Sequence, residues 1–177
     1  MRVWGLAAFG LFLLSVPAAN WMVQHLGTAC VPHGPCLVPV APGLMAPSGV
    51  LMVGVALVLR DVVQRLLGAR WGLAAIVAGA ALSALVAPPS LVLASAAAFG
   101  LSELADFAVY TPLQQRRLLL AVLLSGIAGL LVDSLTFLWL AFGSLDFLPG
   151  QVVGKAWAVL LSLPLIRLLR HAAPTPA

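Results

Sequence analysis

Three carboxylates stand inside two adjoining apolar helices of this chain. Residues 90–142 read SLVLASAAAFGLSELADFAVYTPLQQRRLLLAVLLSGIAGLLVDSLTFLWLAF, two apolar runs joined by a short basic turn, with Glu103, Asp106 and Asp133 inside the runs. A charge at bilayer depth costs at least about 2.5–3.5 kcal/mol even on the lenient insertion scale. Three of them in neighbouring helices need a polar interior to face. That interior is read as a small-molecule pathway, and the rest of the chain as its wall.

The solvent of these runs is lipid. The chain is 63% hydrophobic and 8% charged, against about 25% charged in soluble domains, and its mean hydropathy is +1.13. At 177 residues it is expected to form one domain, 1–177, with a frayed tail at 171–177. The isoelectric point of about 10.1 does not point to nucleic acid, because the basic residues sit at helix ends rather than in a patch. No repeat, low-complexity segment or cofactor motif occurs, so no cofactor is expected.

A membrane-spanning helix needs about 20 apolar residues. Six runs qualify, roughly 3–23, 48–67, 71–87, 90–110, 118–142 and 151–169. Between most of them fall breakers: the Pro/Gly-rich segment 27–47, Gly68, Pro88-Pro89, Pro112 and Pro149-Gly150. The predicted fold is an all-α membrane protein, a compact bundle of six transmembrane helices. If the spans alternate, Arg2, Arg65, Arg70, Arg116, Arg117, Arg167 and Arg170 all fall on one side. The opposite loops hold no Lys or Arg, only Asp146. The positive-inside rule then places both termini in the cytoplasm, with the protein in the cytoplasmic (inner) membrane. Met1-Arg2, an apolar run and Val16-Pro17-Ala18 also fit a cleavable signal peptide. The run continues through Trp21-Met22-Val23, which favours a retained helix, and cleavage would leave five spans in the same orientation.

Two local patterns have structural readings. Ala75, Gly79 and Ser83 recur every four residues in the third run, a small-residue stripe for close helix packing. Cys30 and Cys36, in CVPHGPC, flank a Pro/Gly turn on the face expected to be oxidising. A disulfide, free thiols and a metal site with His33 are all open there.

The polar residues inside the runs form stripes. Ser95, Phe99, Ser102 and Asp106 share one face of the fourth helix, with Glu103 beside it, and Ser125, Gly129, Asp133 and Thr136 share one face of the fifth. Asn20 and Gln24 are four apart near the end of the first. By helix rise, Lys155 and Asp133 are placed to pair across the fifth and sixth helices, and Arg60 and Glu103 to meet deeper. Snorkelling of Arg60 beside Asp61, or a purely structural clamp of Asp133 and Lys155, are the bland alternatives. The charge count weighs against them: Arg60 and Lys155 face Asp61, Glu103, Asp106 and Asp133. A purely structural set would come close to neutral. The surplus carboxylates must be protonated, hydrated, or facing a cationic or donor-rich ligand. Carboxylates form two-point hydrogen bonds with planar N–H donors, and the amides of Asn20 and Gln24 suit a heterocycle's other edge.

With AANWMVQ in the first helix, LRDVVQRLLG in the second, SELADFAVYTPL in the fourth, VDSLTFLWLAF in the fifth and GKAWAVLLSLP in the sixth, the sequence resembles the VUT family of queuosine-precursor transporters over most of its length. The resemblance implies uptake of 7-deazaguanine bases. It also implies a six-helix fold similar to the substrate-binding subunits of energy-coupling-factor vitamin transporters. Its polar pattern maps onto Asn20 and Gln24, Asp61, Glu103, Asp106, Asp133 with Ser134, and Lys155, the expected substrate-binding residues. The chain departs from many members at Arg65, where they have an acid, and at Leu67, where they have an aromatic. Trp21, Trp139 and Phe99 are candidates to stack on the base, or else packing and interface residues.

The expected partners are thus a 7-deazaguanine and the lipid bilayer, with no nucleic acid. An ATPase module and a homo-oligomer stay open. No Walker A motif occurs, so any ATP coupling requires a separate subunit. An aspartyl protease built on Asp106 and Asp133 is disfavoured, because the two acids differ in depth by about 10 Å from helix rise, and the residues before Asp133 are Leu130-Leu131-Val132 rather than a GxG run.

Overall fold

The computed structural model describes residues 2–32 and 34–168; His33, Arg170 and the tail 171–177 lie outside the described residues. Six long helices follow in order: α1 Arg2–His25, α2 Val50–Leu67, α3 Ala69–Val86, α4 Val92–Leu113, α5 Leu118–Phe142 and α6 Leu148–Leu168. A single 3-10 turn at Pro89–Leu91 leads into α4. The expected runs match these to within a few residues. The exceptions are prolines. Pro149 lies in the first turn of α6, where its missing N–H costs nothing, and Pro112 lies within the last turn of α4 rather than ending it at Tyr110.

Neighbouring helices reverse direction. Gly5 at the start of α1 packs on Leu66 and Leu67 at the end of α2, and Gly72 of α3 packs on Gln64. Gly68 makes the α2–α3 turn alone, with φ of 97°, a conformation that favours glycine. Gly126 of α5 meets Val159 of α6. Arg2, Arg65, Arg70, Arg116, Arg117 and Arg167 therefore gather at one end of the bundle.

The other end carries a correction to the all-α expectation. The segment between α1 and α2 forms a three-stranded antiparallel sheet, β1 Ala29–Cys30, β2 Cys36–Ala41 and β3 Leu44–Pro47. Its composition reads as loop because of its prolines. Yet Val38 and Val40 favour extended backbone, and Pro42-Gly43 turns β2 into β3, with Gly43 at φ of 73°. Cys30 lies opposite Cys36 across the β1–β2 ladder, and a disulfide joins them. The metal alternative would need His33. Trp157 of α6 donates to the Val40 carbonyl at 3.1 Å, and Ser48 to the Met22 carbonyl at 2.7 Å, so the sheet is tied down over the helix ends.

Four of the helices, α1, α3, α5 and the segment Pro89–Leu113 containing α4, are long and apolar enough to cross a membrane. The chain is a multi-pass membrane protein. The other two, α2 and α6, carry Arg60 and Lys155. Central placement explains α2: it packs on all five other helices, and most of its residues are buried. A helix with most of its surface shielded can hold Arg60, Asp61 and Arg65 at a cost that an outer helix would not bear. The burial pattern is accordingly inverted from a soluble protein. Val77, Leu85, Leu93 and Leu161 face outward, while Arg60, Asp106 and Lys155 are at most 1% exposed. Phe12, Val63, Ala121, Val122 and Val159 belong to one buried apolar core.

Candidate functional site: a cavity and a buried ion cluster

The small-residue stripe of α3 sets the cavity's back wall. Ala75, Gly79 and Ser83 are buried, and Gly79 lets the Phe99 and Phe12 rings approach the α3 backbone. Packing is the role of Ala75 and Gly79. Ser83, one turn on, lines open space.

That space is a partly enclosed cavity in the half of the bundle beneath the sheet. Its apolar wall includes Val16, Val53, Phe99 and Phe137, and its polar groups are Ser15, Asn20, Ser83, Ser95, Asp133, Gln151 and Lys155. Lys155 Nζ donates to Asp133 Oδ2 at 2.5 Å, to Gln151 Oε1 at 2.6 Å and to Ser134 Oγ at 2.8 Å. An ammonium has three N–H groups, and all three are used. The pair is electrically neutral, so this wall presents hydrogen-bonding groups to a ligand rather than a net charge.

The second cluster lies toward the arginine end and is closed. Arg60 is fully buried rather than snorkelling. Its Nε donates to Glu103 Oε2 at 3.1 Å, its Nη1 to Gln64 Oε1 at 2.7 Å, and its Nη2 reaches Asp61 Oδ1 at 2.9 Å and Asp106 Oδ1. Phe107 and Tyr110 pack their rings 5.8 and 5.4 Å from the guanidinium carbon. Ser125 of α5 donates to Asp61 Oδ2 at 3.3 Å. One planar fork thus holds acids from α2 and α4 together, which a lysine's point charge would not do.

The seven residues singled out in the sequence divide three ways. Asn20, Asp133 and Lys155 line the cavity. Asp61, Glu103 and Asp106 surround Arg60 and do not line it. Gln24 is exposed, its amide donating to the Asn20 carbonyl of its own helix. The expected common interior is therefore divided into a cavity and a closed ion cluster, joined by the α5 stripe: Ser125 meets Asp61, Gly129 meets Asp106, and Asp133 meets Lys155. Among the stacking candidates only Phe99 reaches the cavity. Trp139 is exposed on the bundle's exterior, and Trp21 is exposed and stacked on His25. Asp106 and Asp133 are held by different cations, an arrangement unlike a carboxyl pair sharing one proton.

Two glutamines went unnoticed in the sequence. Gln64 lies four residues after Arg60 and Gln151 four before Lys155, the spacing at which helix side chains meet. A search for amides one turn from each buried cation would have found both.

Residues 83–176 match the family described as "Putative vitamin uptake transporter". No curated protein and no solved structure matches the chain. The matched span carries Ser83, Glu103, Asp106, Asp133, Gln151 and Lys155, and so contributes to both clusters. It covers more than half of the sequence, and the chain belongs to this family.

Proposed function

We propose that the protein imports a queuosine precursor, a 7-deazaguanine base, across the cytoplasmic membrane. The observation that carries the reading is the cavity beneath the sheet. Its walls combine a carboxylate, an ammonium and two amides with the faces of Phe99 and Phe137. A 7-deazaguanine presents a ring N–H and an exocyclic amine side by side, which suit one carboxylate such as Asp133. Its carbonyl oxygen suits a donor such as the second N–H of the Asn20 amide, since all three of Lys155's are used. In this reading all six helices span the bilayer with both termini cytoplasmic, supported by the arginines at one end of the bundle. The cavity then faces outward, as a site that loads from outside must.

A second reading keeps the site and changes the energy source. The family description names vitamin uptake, which favours a vitamin- or nucleobase-binding subunit that needs a separate ATPase. Expression in a host unable to make or import the precursor tests both. With each deazaguanine supplied in turn, queuosine in tRNA is expected without added ATPase genes. Queuosine only when an ATPase module is co-expressed moves the protein to the second reading, and none in either case ends the first.

A further inference from the structure

The charge surplus does not sit where a ligand would meet it. The cavity pair is balanced, one carboxylate to one ammonium. The imbalance lies in the closed cluster, where Asp61, Glu103 and Asp106 surround Arg60, all four at most 1% exposed. Every neighbouring ionisable group enters the count. From α2, Arg65 is also buried, with Nη1 3.2 Å from the Gln114 carbonyl, and it acts electrostatically on Tyr110. From α4, Tyr110 is neutral. From α5, Asp133 acts on Glu103 across the stripe and is balanced by Lys155 of α6. Counting Arg65 in full, three carboxylates still face two cations.

A second observation shows where the excess is felt. Asp106 is fully buried, and its Oδ2 has no hydrogen-bond partner among the described residues. The α5 backbone closes over it: a Cβ added at Gly129 would stand 3.3 Å from that oxygen. A buried ionised oxygen without a donor is among the costliest arrangements a protein can hold, and a neutral carboxyl costs far less. Arg60 already fills the centre of the cluster, which leaves room for a proton and not for a metal ion.

We propose that the Arg60 cluster is a proton-binding site, separate from the cavity, holding one proton shared among Asp61, Glu103 and Asp106. We extend this to coupling: the proton is the ion whose gradient drives the uptake proposed above, an extension that rests on that transport reading. The proton comes from water and returns to it, with no covalent step. The Ser125–Gly129–Asp133 stripe is the rigid link by which loading of the cavity bears on the cluster.

Infrared difference spectroscopy of the purified protein at neutral pH tests the site itself. The wild type is expected to show the C=O stretch of a buried protonated carboxyl, slow to shift in deuterated water. Asp61→Asn, Glu103→Gln and Asp106→Asn each bring the cluster to two acids against two cations, so each is expected to abolish the band. Asp146→Asn, at the exposed end of the bundle, is expected to keep it. Absence of the band in the wild type overturns the proposal whatever the variants do, as does a band that survives all three substitutions. Coupling is tested in proteoliposomes with radiolabelled 7-cyano-7-deazaguanine. Acceleration by an inward proton gradient is expected. Uptake driven by sodium alone, or indifferent to both gradients, overturns coupling and leaves the infrared result standing. No uptake under any gradient ends the transport reading and coupling with it, while the spectrum still decides the proton site.

Discussion

Lys155 Nζ and Asp133 Oδ2 stand 2.5 Å apart in the cavity wall, on helices whose nearest turns are joined through Gly143–Phe147. The pair is a clamp between α5 and α6 and a polar face of the cavity at once. In the proposed reading, ligand binding and helix packing draw on the same two side chains, and they separate by their response to single and double substitution.

Asp133→Asn is expected to abolish uptake while membrane insertion stays intact. Lys155→Met, which strands a buried carboxylate, is expected to lower stability by about 3–5 kcal/mol. The double substitution is expected to recover most of that stability and none of the uptake. Melting curves of the purified variants beside queuosine in tRNA check both halves. Full uptake per molecule by either single variant would leave the pair only a clamp.

Asn20 and Gln24 are expected to differ despite their spacing. Asn20 lines the cavity, and Gln24 is exposed with its amide bonded to its own helix. Asn20→Ala should raise the precursor concentration needed for half-maximal uptake by roughly tenfold, the equivalent of one hydrogen bond to a polar ligand. Gln24→Ala should leave it unchanged. Equal effects at the two positions would place the ligand outside the cavity.

Gly54 of α2 faces Ala158 and the Lys155 backbone of α6, where an added Cβ would stand 2.6 Å from the Ala158 side chain. Gly54→Ala is expected to destabilise the protein by about 1–3 kcal/mol through overpacking. Gly10, with open space around it, is the control: Gly10→Ala should be neutral or slightly stabilising, since alanine favours helix. Thermal melts of both variants in one detergent give the comparison.

The Cys30–Cys36 disulfide closes a six-residue separation, for which loop closure is worth about 2 kcal/mol. Cys30→Ser with Cys36→Ser is expected to loosen the sheet and lower the melting temperature by that equivalent, with insertion retained. Before reduction the wild-type cysteines should resist alkylation, and after reduction both should react.

Local arrangement accounts for what the amino-acid order settled unaided. Apolar runs of helix length, arginines confined to alternate connections and acids at fixed depths are properties of single helices, so the membrane character and the Lys155–Asp133 and Arg60–Glu103 pairings were legible from rise per residue alone. Which acids share a chamber was not. Asp106 and Asp133 belong to neighbouring stripes on adjoining helices, and only the position of α2 at the centre, with Arg60 forking between α2 and α4, draws Asp106 away from the cavity. Gln24 shows the same limit on one helix: four residues overshoot a full turn by about 40°, and whether that offset turns a side chain into a cavity or out to lipid depends on where the neighbours stand. The sheet was hidden because prolines mark loops and strand edges alike, and the ladder forms only when helix ends below offer it a floor. Depth is written along a helix, but company is chosen by packing between helices.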